Sequence, residues 1–174
     1  MGDVILRRAV EADAEAVAAC VLRAYARYVG RLPRAPKPVL ADYGRVVREE
    51  ETWLLEHDGA CLGVLVLVPR PEYLLLENVA VDPAHQGRGL GRRLLEFAET
   101  EAQRKGLSEV RLYTNALMTE NRALYARGGY EEYERREVDG RDTVFMRKRL
   151  GGGVDAQHRR AADPGALRDG RCGE

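Results

Sequence analysis

The residues able to do chemistry cluster between Leu74 and Lys105. An apolar run (Leu74, Leu75, Leu76, Glu77, Asn78, Val79, Ala80, Val81) reaches an Asp82-Pro83 turn and then the loop Gln86-Gly87-Arg88-Gly89-Leu90-Gly91. Beyond it Leu90, Leu94, Phe97, Ala98 and Ala102 recur at helical spacing, which predicts a helix with one apolar stripe. A strand feeding glycines into a helix start builds an anion site. The first helical turn has free N–H groups, the dipole favours negative charge, and glycine lets a phosphate approach the backbone. A phosphate-bearing ligand is therefore expected on this loop.

Two common phosphate loops do not fit. A Walker loop ends in Gly-Lys-Ser/Thr, whereas this one runs into Gly91-Arg92-Arg93. The dinucleotide fingerprint needs G-x-G-x-x-G after an early strand, whereas Gly87, Gly89 and Gly91 alternate in mid-chain. Two further residues stand out. Glu77 interrupts an apolar strand, where a carboxylate is costly unless it faces a polar cleft or has a hydrogen-bonding partner. Tyr125 lies in Asn121-Arg122-Ala123-Leu124-Tyr125-Ala126-Arg127-Gly128-Gly129-Tyr130, either as a core aromatic or with its hydroxyl in a site.

The elements that must position these residues follow from periodicity and turn signals. A short strand is predicted over Val4 to Arg8, then a helix from about Ala12 with Val17, Val21, Ala24 and Tyr28 on one face, ended by Gly30. Pro33, Pro36 and Pro38 predict an irregular loop, and Asp42 to Glu50 a shorter helix. Thr52–His57 and Ala60–Val68 read as a hairpin around Asp58-Gly59. After the long helix, Gly106 is its C-terminal cap. A strand over Val110 to Thr114, a helix over Thr119 to Arg127 and a hairpin of Tyr130–Val138 and Thr143–Leu150 around Asp139-Gly140 complete the chain. Trp53, Leu117 and Met118 are expected in the core. Residues 1–150 are expected to form one domain, and residues 151–174, rich in Gly, Ala and Arg without apolar period, a flexible tail.

Composition bounds the partners. The 28 Lys and Arg balance the 28 Asp and Glu, so no overall field attracts nucleic acid or an anionic membrane surface. No apolar run is long enough to cross a bilayer, and no hydrophobic signal core opens the chain. Cys20, Cys61 and Cys172 lack paired spacing, which reads as reduced thiols and a cytoplasmic location. His57, His85 and His158 are scattered, so no metal site is expected.

The Gln86-x-x-Gly89-x-Gly91 loop after the Val79-Ala80-Val81 strand, with this order of elements, resembles the GNAT family of N-acetyltransferases over roughly residues 3–150. The Tyr125–Tyr130 segment is similar to that family's Tyr-x-x-x-Gly-Phe helix end. The resemblance implies a mixed α/β (α+β) fold with a central sheet of about seven strands flanked by four helices. It also implies acetyl-CoA as co-substrate, with no metal. The pantetheine arm would bond to the backbone of Val79, Ala80 and Val81 as an added strand. The pyrophosphate would sit on the amides of Gly87, Arg88, Gly89, Leu90 and Gly91, with Gln86 at the loop entry and Arg88, Arg92 and Arg93 adding charge.

Catalysis then needs a base for the amine, expected at Glu77, and an acid for the leaving thiolate, expected at Tyr125. Where the family often has a cofactor-contacting asparagine, this chain has Met118, so Asn121 or Asn115 is expected to substitute. The acceptor, a small-molecule amine or a peptide, is expected between the first two helices and the last hairpin. Tyr25, Tyr28, Arg31 and Tyr43 are available there, with Tyr133 and Arg135 opposite, and Arg31 with Arg34 would suit an acceptor carboxylate. A homodimer is compatible with the resemblance. The competing reading of the same fold is a CoA-binding regulatory module without turnover.

Overall fold

The computed structural model describes residues 2–151; the segment expected to be a tail lies outside the described residues but for Gly151. In chain order the elements are β1 (Ile5–Arg8), α1 (Ala14–Tyr25), α2 (Lys37–Leu40), α3 (Tyr43–Glu49), β2 (Glu51–His57), β3 (Ala60–Pro69), β4 (Leu74–Val81), α4 (Leu90–Arg104), β5 (Glu109–Asn115), α5 (Thr119–Arg127), β6 (Glu131–Val138) and β7 (Arg141–Arg149). The strands form one mixed sheet in the order β1-β2-β3-β4-β5-β7-β6. Every pairing is antiparallel except β4 with β5, which α4 joins as a crossover.

The sheet is covered on both faces, and β3 shows why its sequence is apolar without alternation. Successive side chains on a strand point to opposite faces. Leu65 and Leu67 therefore enter the core under α4, with Leu90, Leu94, Leu95, Ala98 and Ala102. Val64 and Val66 enter the other core, under α1 and α3, with Val17, Val21, Tyr25 and Val47. A strand buried on both faces reads as a continuous hydrophobic run.

Several boundaries have identifiable local causes. Both predicted hairpins turn on residue pairs with positive φ, Asp58 (48°) with Gly59 (78°) and Asp139 (49°) with Gly140 (70°), matching the twist of the flanking strands. At the end of α4, Leu107 N–H donates to Ala102 C=O and Gly106 N–H to Gln103 C=O, the paired bonds that Gly at the cap position allows.

Three expectations need correction. The proline-rich stretch holds the one-turn helix α2, so among the described residues five helices rather than four flank the sheet. Pro36 stands at its N-cap and Pro38 in its first turn, where a missing N–H costs no helical bond. Leu117 is half exposed, because the turn into α5 carries it outward, while its neighbour Met118 is buried as expected. Trp53 is only partly buried and packs edge-on to Phe97, with ring centroids 4.7 Å apart. Among the described residues no helix is long and apolar enough to cross a membrane.

Candidate active site

The site arises from a gap in the sheet. β4 and β5 pair only over Leu74–Val110, Leu75–Arg111 and Leu76–Leu112. Beyond Leu76 they part, and β5 continues alone against β7 through Asn115. The β5-facing backbone edge of β4 is therefore left without ladder partners from Glu77 onward, as a strand-adding ligand requires.

A β-bulge sits at the same point. Across from β3, Leu67 pairs with Leu76 and Val66 with Asn78, so Glu77 is the extra residue. A bulge re-aims side chains, and here the consecutive Glu77 and Asn78 both line one pocket of about 70 Å³. Tyr113 on β5 donates its hydroxyl to Glu77 Oε1 at 2.6 Å. Burial, with Glu77 beside it, pushes the Tyr113 hydroxyl far above its ordinary pKa, so Tyr113 stays a donor to the carboxylate. Asn78 is held from both sides: Tyr25 donates to its Oδ1 at 2.8 Å, and its Nδ2 donates to Tyr43 Oη at 3.2 Å. Tyr43 in turn donates to Pro38 C=O at 2.7 Å.

Tyr125, from α5, lines the same pocket. Its ring packs against Tyr130, centroids 6.3 Å apart, and burial pushes its hydroxyl well above the usual tyrosine range. Among the described residues no hydrogen bond involves that hydroxyl, and because Tyr125 lines the pocket it is available to whatever enters.

A second, larger cleft of about 440 Å³ adjoins it, with Tyr25 bordering both. Val79, Ala80 and Val81 form one wall; Gln86, Gly87, Gly89, Leu90 and Gly91 form its floor. Gly87 (φ 76°) and Gly89 (φ 77°) adopt the left-handed conformation that turns the loop into α4. The first helical bond of α4 runs from Arg93 N–H to Gly89 C=O, so the amides of Leu90, Gly91 and Arg92 have no helical acceptor. Gln86 fixes the loop to the strand: its Nε2 donates to Val81 C=O at 3.1 Å, and Arg27 donates to its Oε1. Gly91 admits α5 closely, since a Cβ there would stand 3.2 Å from Leu124 Cδ2.

The remaining expected residues divide between the two cavities and the surface. Arg92 borders the cleft but pairs with Glu96 at 2.7 Å. Arg88 does not line it, and Arg93 donates to Val4 C=O at 2.9 Å. Asn121 lines the cleft and accepts from Tyr28 at 3.4 Å. Asn115 does not line the cleft; it borders the Glu77 pocket and caps the following turn, its Oδ1 accepting from Leu117 N–H. Tyr25 borders both cavities, whereas Tyr28 and Arg31 line neither. Arg31 is paired with Glu120 at 2.7 Å, which holds that carboxyl down to about 2. On the last hairpin Arg135 pairs with Asp142 at 2.5 Å, and Val138, Arg141 and Thr143 line the pocket in its place.

Sequence reasoning missed Asn78, Tyr113, Arg27 and Arg127. Asn78 had a signal, as the second polar residue in an apolar strand. The two arginines, which border the cleft, had none. The arrangement can seat a diphosphate on backbone amides with Arg27 and Arg127 nearby, lay an extended arm along β4, and deliver its end between Glu77 and Tyr125. The donor set thus fits the co-substrate that the sequence resemblance implies.

Comparison with known proteins agrees. The chain is 38% identical over 94 residues to the mycothiol acetyltransferase of Beutenbergia cavernae, covering 48% of this chain and 32% of that protein. It is 38% identical over 76 residues to the ribosomal protein bS18 alanine N-acetyltransferase of Escherichia coli, covering 41% of this chain and 51% of that one. It therefore spans about a third and about half of the lengths of these curated relatives. Among solved structures, the PaiA N-acetyltransferase of Thermoplasma acidophilum in complex with coenzyme A superposes with a TM-score of 0.70 at 18% identity, over 86% of this chain and 100% of that one. A family model described as acetyltransferase (GNAT) family matches residues 17–130, more than half of the sequence, and the chain belongs to that family.

Proposed function

We propose that this protein is an acetyl-CoA-dependent N-acetyltransferase acting on a primary amine, with residues 1–150 as its catalytic domain and the cytoplasm as its location. The observation that carries the reading is the convergence of Glu77 and Tyr125 on one pocket at the mouth of the glycine-loop cleft. Acetyl-CoA supplies an acetyl group already activated as a thioester. Leu90, Gly91 and Arg92 amides, with Arg27 and Arg127, hold its diphosphate. The unpaired edge of Val79, Ala80 and Val81 receives the pantetheine arm, and Asn121 borders the same path. The free thiols Cys20 and Cys61 support a reducing compartment.

An amine such as that of lysine, with a pKa of about 10.4, is almost wholly protonated near neutral pH and cannot attack a carbonyl until it loses a proton. Glu77, oriented by Tyr113, takes that proton. Tyr125 keeps its own proton, because burial disfavours the phenolate, and gives it to the departing sulfur. A C–N bond forms and the C–S bond breaks; Tyr125 protonates the departing sulfur and regains a proton from the attacking nitrogen, so the two protons that the ammonium loses are accounted for on Glu77 and, through Tyr125, on the thiol.

Free thiol released from acetyl-CoA in the presence of an amine panel tests the reading; release no faster than hydrolysis without amine would overturn it. Glu77→Gln leaves deprotonation to solvent, so its kcat/KM is expected to fall about tenfold or more at pH 7. The deficit should close as pH rises toward the amine's own pKa, displacing the profile upward. An undisplaced profile would make Glu77 a structural carboxylate.

A further inference from the structure

The wall of the Glu77 pocket opposite the strand gap carries an unbalanced charge. It is built from residues 32–38 and the β6–β7 hairpin, and Arg34, Lys37 and Arg141 all line it. Glu77 is the one carboxylate in the lining. Lys37 reaches only Asp139, 3.5 Å away and well exposed. Arg34 and Arg141 have no carboxylate partner among the described residues, whereas Arg7, Arg23, Arg31, Arg122 and Arg147 each have one. What holds Arg34 and Arg141 in place is backbone. Arg34 Nη1 donates to Asp139 C=O at 3.2 Å and lies over Gly140, while Arg141 Nη2 donates to Ala35 C=O at 3.1 Å.

These bonds tie the loop to the hairpin and leave most donors of both guanidinium groups unused. Arg141 Nε is buried with no hydrogen-bond partner at all. A buried guanidinium N–H without an acceptor is destabilising, and its natural partner is a planar oxyanion accepting two parallel bonds. A pre-positioned, unneutralised pair of arginines facing a carboxylate base across a small pocket is a two-ended recognition device. One end accepts a proton from an amine, and the other receives an anion.

We propose that the acceptor is a small amine bearing an oxyanion, a carboxylate or a phosphate, at its far end, with Arg34 and Arg141 as the residues that select it. This rests on the acetyltransferase reading and narrows it. The same charge disfavours polycations such as polyamines and aminoglycosides, which would bring further positive charge to Arg34, Lys37 and Arg141. The pocket volume of about 70 Å³ suits a small molecule.

The test is steady-state kinetics of the full chain with acetyl-CoA on matched acceptors. These are glycine, β-alanine and γ-aminobutyrate, their carboxamides, 2-aminoethyl phosphate, and spermidine. At least one oxyanion-bearing amine is expected to exceed its neutral counterpart by about tenfold or more in kcat/KM, and the carboxylate and phosphate arms show which oxyanion is preferred. Arg141→Gln, which keeps a donor for Ala35 C=O, should raise KM for that amine about tenfold while kcat stays within about twofold, and should erase the preference over the carboxamide. Arg34→Gln provides an independent second variant. Equal or better turnover of carboxamides or spermidine would overturn the assignment while leaving acetyl transfer intact. So would coenzyme A binding, by calorimetry, with none of these amines accepted. Failure to bind coenzyme A would instead remove the acetyltransferase reading, and this one with it.

Discussion

Tyr125→Phe is expected to lower kcat by about a hundredfold, within the range that a positioned general acid contributes, while leaving the affinity for coenzyme A within about twofold. The substitution is clean for physical reasons. Phenylalanine keeps the ring that packs against Tyr130, and the hydroxyl it removes has no hydrogen bond to lose among the described residues. Stability should therefore change little, since no hydrogen bond within the protein is being deleted. The loss must then appear in the chemical step. Because burial holds the Tyr125 proton on through neutral and moderately basic pH, the wild-type rate should show no limb from its ionisation below about pH 10. The variant should lose rate uniformly across that range, unlike Glu77→Gln, whose deficit closes as pH rises. Stopped-flow measurement of thiol release, with coenzyme A affinity from calorimetry, separates the two effects. A variant with unchanged kcat would make Tyr125 a packing residue and leave the thiolate to depart unaided.

Much of this site was legible because its parts are local. The loop Gln86–Gly91 announces itself by glycines placed between an apolar strand and a helical stripe, and both hairpin turns by an Asp-Gly pair whose positive φ no β-branched residue would accept. What escaped depends on register. The bulge at Glu77 exists because β4 has one residue more than β3 between the Leu76–Leu67 and Asn78–Val66 pairs, and no pattern within β4 alone reveals where its pairing with β3 shifts. That bulge is what turns Asn78 into the pocket beside Glu77.

The acceptor wall was harder for a related reason. β6 is charged on both faces and β7 opens on the charged pair Arg141 and Asp142, so period-two alternation could not say whether Arg135 on β6 or Arg141 on β7 meets the pocket; the answer lies in Asp142, which takes Arg135. On the first helix, Tyr25 faces the pocket and Tyr28 does not. The chain tightens to a 3₁₀ turn over Ala26–Tyr28, so spacing counted as α-helical drifts off the face. Arg31, the loop arginine expected beside Arg34, was claimed by Glu120, a residue distant in sequence.

Gly89→Asp is expected to weaken coenzyme A binding about a hundredfold, and comparison with Gly89→Asn shows what causes the loss. Gly89 has φ 77° and ψ 9°, and a Cβ added there would meet no atom within 4 Å, so neither variant is crowded. Asp and Asn tolerate the left-handed region about equally, with a strain of roughly 1 kcal/mol that both share. The one difference is charge. A carboxylate about 5 Å from a diphosphate costs roughly 3 kcal/mol per opposed charge at an effective dielectric of 20, and counter-ions reduce this to about 2–3 kcal/mol overall, or about two orders of magnitude in Kd. Gly89→Asn should therefore lose less than about tenfold. Raising the salt from low to high should narrow the gap between the two variants, because screening weakens repulsion but not backbone strain. Calorimetric titration of both variants at two ionic strengths reads each quantity directly. If Asp and Asn bind coenzyme A equally, no anion rests on the amides at the start of α4, and the cleft beside β4 must hold something other than a diphosphate.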